Sequence, residues 1–195
     1  MSEIKVDKIS PQSGTALAIG DSGDTITIPS GATFTNSGTA TGFGGGKVAQ
    51  IVTGVHTAYL AATVRVYDDD TIPQNTEGTE IITRAITPTS ATNHLFFTFS
   101  GNLNNDSTQY GFFALFQDTT ADALALGWSM IHMGNHSNHL SFTHDMVAGT
   151  TSSTTFKIRM GTSSGSPAYR TNGSSSARRF GGISANRLTI IEYTP

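Results

Sequence analysis

From Lys47 onward the chain alternates short runs of apolar and β-branched residues with clusters of turn-forming residues. The runs are VAQIVTGV, YLAATVRVY, TEIITRAITP, HLFFTFSGNL, YGFFALFQ, ALALGWSMI, HLSFTHDMV, TTFKIRMG, PAYRTNG, RRFGG and RLTIIEY. The best helix candidate, residues 118–128, also has the alternation of a strand. With about ten or eleven strands and no helices between them, the pattern predicts an all-β fold, an antiparallel β-sandwich that is jelly-roll-like.

The spacing of apolar residues within these runs predicts which side chains face the core. In TTFKIRMG, Phe156, Ile158 and Met160 alternate with Lys157 and Arg159, which predicts one buried face and one solvent face. HLFFTF and YGFFALF are instead apolar on both faces. Such a strand is expected to lie centrally in a thick core or to pack against a neighbouring subunit.

The first 46 residues are rich in Gly, Ser and Thr, and Ser-Gly recurs at 13–14, 22–23, 30–31 and 37–38. Each repeat is predicted to be a turn followed by a short strand. Backbone ordering costs roughly 1 to 2 kcal/mol per residue. One copy of this region has too few large apolar side chains to offset that cost. We therefore expect an ordered, β-turn-rich stalk built from several copies of the chain, with a flexible Gly/Ser linker as the alternative. The residues predicted to hold the copies together are Leu17, Ile19, Ile26, Ile28 and Phe34.

The change in composition at the GFGGG segment predicts two parts, residues 1–46 as an anchor and stalk and residues 47–195 as a β-sandwich head. The GFGGG segment itself, residues 42–46, is predicted to be a hinge between them.

Charge and composition exclude several classes of function. The chain has 11 Lys and Arg against 14 Asp and Glu, a formal net charge of −3, so it lacks the basic surplus that binds nucleic acid. Without cysteine it has no disulfide, thiolate metal site or cysteine nucleophile. No apolar run has the length of a signal peptide or a membrane span, so neither secretion nor membrane insertion is expected.

Sequence motifs of catalysis are also missing. The chain contains no GxSxG elbow, no Walker loop and no dinucleotide fingerprint, and GFGGG does not open a helix. A pair of carboxylates for glycoside hydrolysis is conceivable from Glu77, Glu80, Asp106 and Asp118, but nothing in the sequence selects a pair. We expect a protein that is not an enzyme and needs no cofactor.

The most polar segment is IHMGNHSNHLSFTHD, which places four histidines close together. Their spacing is irregular, so a loop that hydrogen bonds a glycan or water is favoured over a metal site. Asp68, Asp69 and Asp70 are interpreted as a solvated turn rather than a cation site. From polarity and expected exposure alone, the predicted ligand-binding residues are His132, Asn135, His136, Asn138 and His139 in one loop and Asn102, Asn104, Asn105 and Asp106 in another.

Both ends of the chain resemble one group of proteins. The start, IKVDKISPQSGTALAIGDSGDTITIPSGATFTNSGTATGFG, resembles the N-terminal segment of fibre and tail structural proteins of tailed bacteriophages. The end, GTTSSTTFKIRMGTSSGSPAYRTNGSSSARRFGGISANRLTIIEY, resembles the C-terminal β-sandwich of such fibres, where a Thr-rich strand, a Gly-rich turn, an Arg-Phe-Gly-Gly step and an LTIIEY-like strand follow in that order. The middle of the chain is similar only in composition.

This resemblance implies a homotrimeric fibre on the virion, made in the host cytoplasm. Residues 1–46 would attach to other virion structural proteins, and the head would bind a glycan or protein on the host surface. A short, non-enzymatic tail fibre is the expected function. The alternatives are a head decoration or capsid fibre protein that binds the capsid and a tailspike enzyme that degrades polysaccharide.

Overall fold

A computed structural model describes residues 9–33, 35, 37, 47–132, 136–174 and 177–195. The chain divides into two compact units, Met1–Phe43 and Gly44–Pro195. Within the described ranges, no helix is long and apolar enough to cross a membrane.

Apart from one 3-10 turn, the regular elements described in the larger unit are all strands. In chain order they are β1 (Val48–His56), β2 (Leu60–Ala62), β3 (Thr79–Ile86), β4 (His94–Asn104), β5 (Gln109–Gln117), β6 (Ala125–Ile131), β7 (Ser137–Val147), β8 (Thr154–Thr162), β9 (Tyr169–Thr171), β10 (Gly173–Ser174), β11 (Ala177–Arg178) and β12 (Asn186–Tyr193).

These strands form two antiparallel sheets and a small hairpin of β10 and β11. In the first sheet β1 pairs with β12, β12 with β4, and β4 with β7, while β9 and β2 continue from the end of β4. The second sheet has the order β3-β8-β5-β6. Apart from the β5–β6 hairpin, the chain passes between these two sheets at each step from β3 to β8. The four long strands β1-β12-β4-β7 of the first sheet, facing β3-β8-β5-β6 in the second, have the order of a jelly roll, so the predicted all-β sandwich is confirmed.

The core lies between the two sheets and contains the predicted inward side chains. Phe156, Ile158 and Met160 on β8 are fully buried, as their alternation predicts. Phe97 of β4 meets Phe156 edge to face at a ring-centroid distance of 4.6 Å. Burying a side chain of this size contributes about 1.5 to 3 kcal/mol, so the aromatic contacts hold the two layers together.

The outer face of β5 is buried by a segment of the same chain. Phe112 and Phe116 point away from the core and are nonetheless buried. Residues 63–78 lie across this face: the backbone N–H of Val66 donates to the carbonyl oxygen of Thr162 at 3.1 Å, and Val66 is itself buried. The covering element is therefore a distant segment of the same chain, which the sequence did not indicate.

Two predicted strands differ in the structure. YLAATVRVY pairs only over β2, because the chain then leaves the first sheet to cross the second. RRFGG is in a strand only at Arg178, the last residue of β11, and then forms a 3-10 turn at Phe180–Gly182. Phe180, Gly181 and Gly182 have φ values of 54°, 62° and 89°, a left-handed backbone that cannot continue a ladder. Residues 118–128 end in β6, which confirms the strand alternative there.

The smaller unit contains several short turns and bends in its described residues. Gly14, Gly23 and Gly31, which follow serine in three of the predicted Ser-Gly turns, all have positive φ. The N–H of Ala32 donates to the carbonyl oxygen of Pro29 at 3.1 Å. The turns are therefore confirmed at these three repeats, while the fourth includes Gly38, which lies outside the described residues.

The predicted strands between these turns are not formed by one chain. None of residues 9–33, 35 and 37 is in a strand. Leu17, Ile19, Ile26 and Ile28 are all exposed, and Phe34 lies outside the described residues. Interchain packing of these residues in a trimer stays a prediction, as do the anchor and stalk roles of residues 1–46.

Candidate functional site

A groove lies where residues 67–73 meet the outward side of β5 and β6. Its first cleft, of about 400 Å³, is lined by this loop and by Tyr110, Phe112, Leu126 and Trp128. A second cleft, of about 330 Å³, lies between the same loop and residues 123–126. The clefts share lining residues from both walls, including Asp69 and Leu126, so they join into one open groove. We call it the β6 groove.

Backbone hydrogen bonds fix the loop wall of the β6 groove to the turn before β6. The N–H of Ala123 donates to the carbonyl oxygen of Pro73 at 3.0 Å, and the N–H of Asn75 donates to that of Ala121 at 2.7 Å. The side-chain amide of Gln74 donates to the Asp122 carboxylate at 2.9 Å. These contacts set the separation of the two walls at one end.

The side chain of Glu77 links the two ends of the loop formed by residues 67–73. Its Oε2 accepts the N–H of Tyr67 at 2.8 Å, and its Oε1 accepts the N–H of Gln74 at 2.9 Å. The side chain is buried, and a buried carboxylate with charge-assisted hydrogen bonds holds its partners strongly. Glu77 thus joins the two ends of the loop and positions the aspartates between them.

Aromatic side chains form the opposite part of the groove. Trp128 is 62% exposed, unusual for the largest apolar side chain in a folded unit. The ring of Tyr110 contacts it edge to face at a centroid distance of 5.3 Å. Because Gly127 faces inward against Phe142, its neighbour Trp128 faces outward on the edge strand. The result is a fixed, accessible aromatic surface.

Carboxylates line the rim of the groove. Asp68, Asp69 and Asp70 are exposed, and Oδ1 of Asp69 accepts the side-chain hydroxyl of Thr71 at 2.5 Å and its backbone N–H at 2.9 Å. These two hydrogen bonds, with a smaller contribution from the charge of Arg65, lower the pKa of Asp69. The turn predicted for these aspartates is confirmed. Within the described ranges no three His, Asp or Glu side chains are placed to hold a metal ion.

Asn102 lies in a different cleft, at the end of β4. That cleft, of about 370 Å³, is also lined by Asn172, Ser174, Arg179 and Phe180. The side chain of Asn102 is bonded within the protein, since it donates to Asn172 Oδ1 at 2.9 Å and accepts the Asn172 N–H at 2.8 Å. A ligand there would compete with these internal bonds.

The other residues predicted in the Asn102 loop interact with groups of the protein itself. Asn104 and Asn105 are fully buried, so the expectation that they are exposed is wrong. Asn105 donates to the carbonyl oxygen of Pro167 at 2.8 Å and accepts the N–H of Ser107 at 2.7 Å. Asp106 pairs with Arg170 at 2.7 Å. Hydrogen bonds of this kind to backbone groups allow a polar amide side chain to be buried.

Of the residues predicted in the histidine loop, none that the structure describes lines one of the three clefts, although Ser137 between them lines the Asn102 cleft. His132 and His136 are exposed, and Asn135 lies outside the described residues. His139 Nε2 is 2.9 Å from the hydroxyl of Ser100, and Asn138 donates to that of Ser129 at 3.3 Å. Ligand binding by these residues stays a prediction.

The four carboxylates considered for hydrolysis each have their own partners. Besides Glu77 and Asp106, Glu80 Oε2 lies 3.7 Å from a guanidinium nitrogen of Arg159, and Asp118 accepts the hydroxyl of Thr154 at 2.9 Å. None of the four lines the three clefts. The β6 groove was missed by sequence reasoning, although Leu126 and Trp128 on one face of β6, with core residues on the other, were a usable signal.

Comparison with known proteins gives little further information. No protein-family model matches the chain, and no curated protein does. Among solved structures, the chain is similar to the enzymatically active domain of tailspike protein 4 of Bacteriophage CBA120, with 11% sequence identity and a TM-score of 0.23. The match covers 76% of this chain and 20% of the tailspike chain, so this chain spans about a fifth of that length. The score is too low to transfer an activity.

Proposed function

We propose that the chain is a virion structural protein of a tailed bacteriophage, a short trimeric tail fibre whose head binds a saccharide of the host surface. The N-terminal residues 1–46 attach it to the particle, and the β6 groove makes the contact with the host. The phage assignment rests on the sequence resemblance at both ends. The observation that carries the binding function is the exposure of Trp128 in an open groove.

Saccharides suit this groove because of how their surfaces are arranged. A sugar ring has an apolar face of C–H groups and a rim of hydroxyls. Binding sites for such amphipathic ligands combine apolar or aromatic area with a few placed polar groups. In the β6 groove Trp128 and Tyr110 supply the aromatic area, and Asp68 and Thr71 supply acceptors and a hydroxyl. The second cleft continues the groove for further sugar units.

The proposal includes no turnover. The candidate carboxylates hold loops and strands together, as Glu77 does for the groove wall, and they lie outside the clefts. Bound polysaccharide should therefore be recovered intact. Release of reducing sugar, lost when one of these carboxylates is neutralised, would replace adhesion with hydrolysis.

Trp128 also provides the test, because it is the chain's single tryptophan. Titrating the full chain with a panel of soluble bacterial surface polysaccharides should shift the tryptophan emission for at least one of them. In calorimetry with that polysaccharide, Trp128→Ala should lower the affinity about tenfold, from the loss of stacking and burial.

Met130→Ala is the matched control, since Met130 is exposed on the same strand and does not line the groove. It should bind as the unchanged protein does. Equal affinity of the Trp128→Ala variant, or no response to any polysaccharide, would refute the binding function. Attachment of the purified chain to bare capsids and not to bacteria would indicate a decoration protein instead.

A further inference from the structure

We infer that the saccharide bound by the β6 groove carries a positively charged amino group, as a deacetylated amino sugar does. This inference rests on the proposed function and adds the chemical class of the ligand. It follows from the charges of the groove, the partners of those charges and the aromatic rings beside them.

The acidic and basic residues that line the groove are all of one sign. Asp68 and Asp69 line the first cleft, and Asp69 and Asp70 line the second. Among the residues that the structure describes, no Lys, Arg or His lines either cleft. A concave surface with one sign of charge concentrates ligands of the opposite sign.

These carboxylates have no cationic partner within salt-bridge distance among the described residues. Asp69 accepts hydrogen bonds from Thr71 through one of its two oxygens. Among the described residues, neither Asp68 nor Asp70 takes part in a hydrogen bond or ion pair. The rim is therefore left with negative charge that a ligand can neutralise.

Arg65 is a cation whose charge acts on this rim. Its guanidinium carbon lies 3.8 Å from the centroid of the Tyr67 ring, and its charge contributes to the lowered pKa of Asp69. It does not line the groove, and one positive charge does not balance three negative ones. Its position shows that a ring in this loop already accepts a cation on its face.

Aromatic rings strengthen the preference for a cation. The faces of Trp, Tyr and Phe attract positive charge, and tryptophan does so most strongly. Trp128 offers such a face at the groove, with Tyr110 beside it. An ammonium group on a sugar stacked there contacts both the ring and the carboxylates. An acetamido group has no charge, and the negative charge of a uronate is repelled by the carboxylates.

The test compares two oligosaccharides of equal length, glucosamine and N-acetylglucosamine tetramers, titrated into the full chain at pH 6 and low salt. The charged tetramer should bind on the order of fivefold to tenfold more tightly, the combined size of an exposed ion pair and a cation–π contact. Added salt should reduce the difference, because the pairs are exposed to solvent.

A double variant, Asp68→Asn with Asp69→Asn, should remove the preference, so that the two tetramers bind this variant with equal affinity. Asparagine retains an oxygen that can accept from Thr71, so the turn can persist. Glu80→Gln removes a carboxylate that lies outside the groove, and it should leave the preference intact. Thermal unfolding followed by circular dichroism verifies that each variant is folded.

Two results would overturn the inference and are distinguishable from failure of the proposed function. Equal binding of both tetramers, or a preference that survives the double variant, would show that the saccharide need not be charged while the groove still binds saccharide. If neither tetramer nor any polysaccharide in the larger panel binds, the proposed function itself is wrong.

Discussion

Glu192 on β12 should make the head less stable in acid, by an amount that can be worked from its contacts. The side chain is fully buried. Its Oε2 accepts from Gln50 Nε2 at 2.6 Å, and its Oε1 accepts from the Thr89 hydroxyl at 2.7 Å and from Asn93 Nδ2 at 2.6 Å. Burial alone would raise the pKa of Glu192, but these hydrogen bonds outweigh it and lower the pKa from 4.5 to about 2.

Because the folded pKa is depressed, the stabilisation is present above the unfolded pKa of 4.5 and is lost as pH falls toward 2. At about 1.4 kcal/mol per pKa unit, the ionised carboxylate contributes roughly 3 kcal/mol at pH 7, of which about 2 kcal/mol is lost by pH 3. The variant Glu192→Gln lacks this contribution. It should be less stable than the unchanged protein by about 3 kcal/mol at pH 7, and the difference should shrink by about 2 kcal/mol at pH 3.

Urea unfolding followed by far-ultraviolet circular dichroism measures both differences, with the protein concentration fixed because subunit association also affects stability. Titrations common to both proteins cancel in the comparison. Glu80→Gln, which removes the same charge from a part-exposed side chain, should cost less than about 1 kcal/mol. The reasoning is refuted if the Glu192→Gln difference is the same at both pH values.

Two further changes test the core and the stalk. Tyr169 is buried with its hydroxyl 2.7 Å from the carbonyl oxygen of Val64, so Tyr169→Phe should destabilise the head by about 1 to 2 kcal/mol in urea unfolding; no loss would mean that this bond contributes nothing. Ile26→Asp with Ile28→Asp should abolish trimers in analytical ultracentrifugation if these exposed residues pack between copies. A trimer that survives both changes would exclude that role.

Sequence alternation predicted the inner layer well because a jelly roll has one core and strands have a period of two. Phe156, Ile158 and Met160 are buried for this reason. The same rule left the second apolar face of β5 unexplained. What covers Phe112 is a segment some 40 residues earlier in the chain, and strand periodicity carries no information about such long-range crossings.

Site prediction was weaker because polarity does not imply exposure. Asn105 is polar and is therefore predicted to be exposed, yet its amide is buried against Pro167, 62 residues away. The groove, in turn, combines the loop of Asp68 with Trp128 of β6. Each was visible in the sequence, as a run of aspartates and as the only tryptophan, but only the folded chain brings them together.

The most direct test of saccharide binding by the groove is the indole N–H resonance of Trp128 in a two-dimensional ¹H–¹⁵N spectrum. The chain has one tryptophan, so the assignment is immediate. On titration with a surface polysaccharide that binds, this resonance should shift together with the amides of residues 67–73. Shifts that leave the indole resonance unmoved and cluster instead around Asn102 and Arg179 would contradict the account.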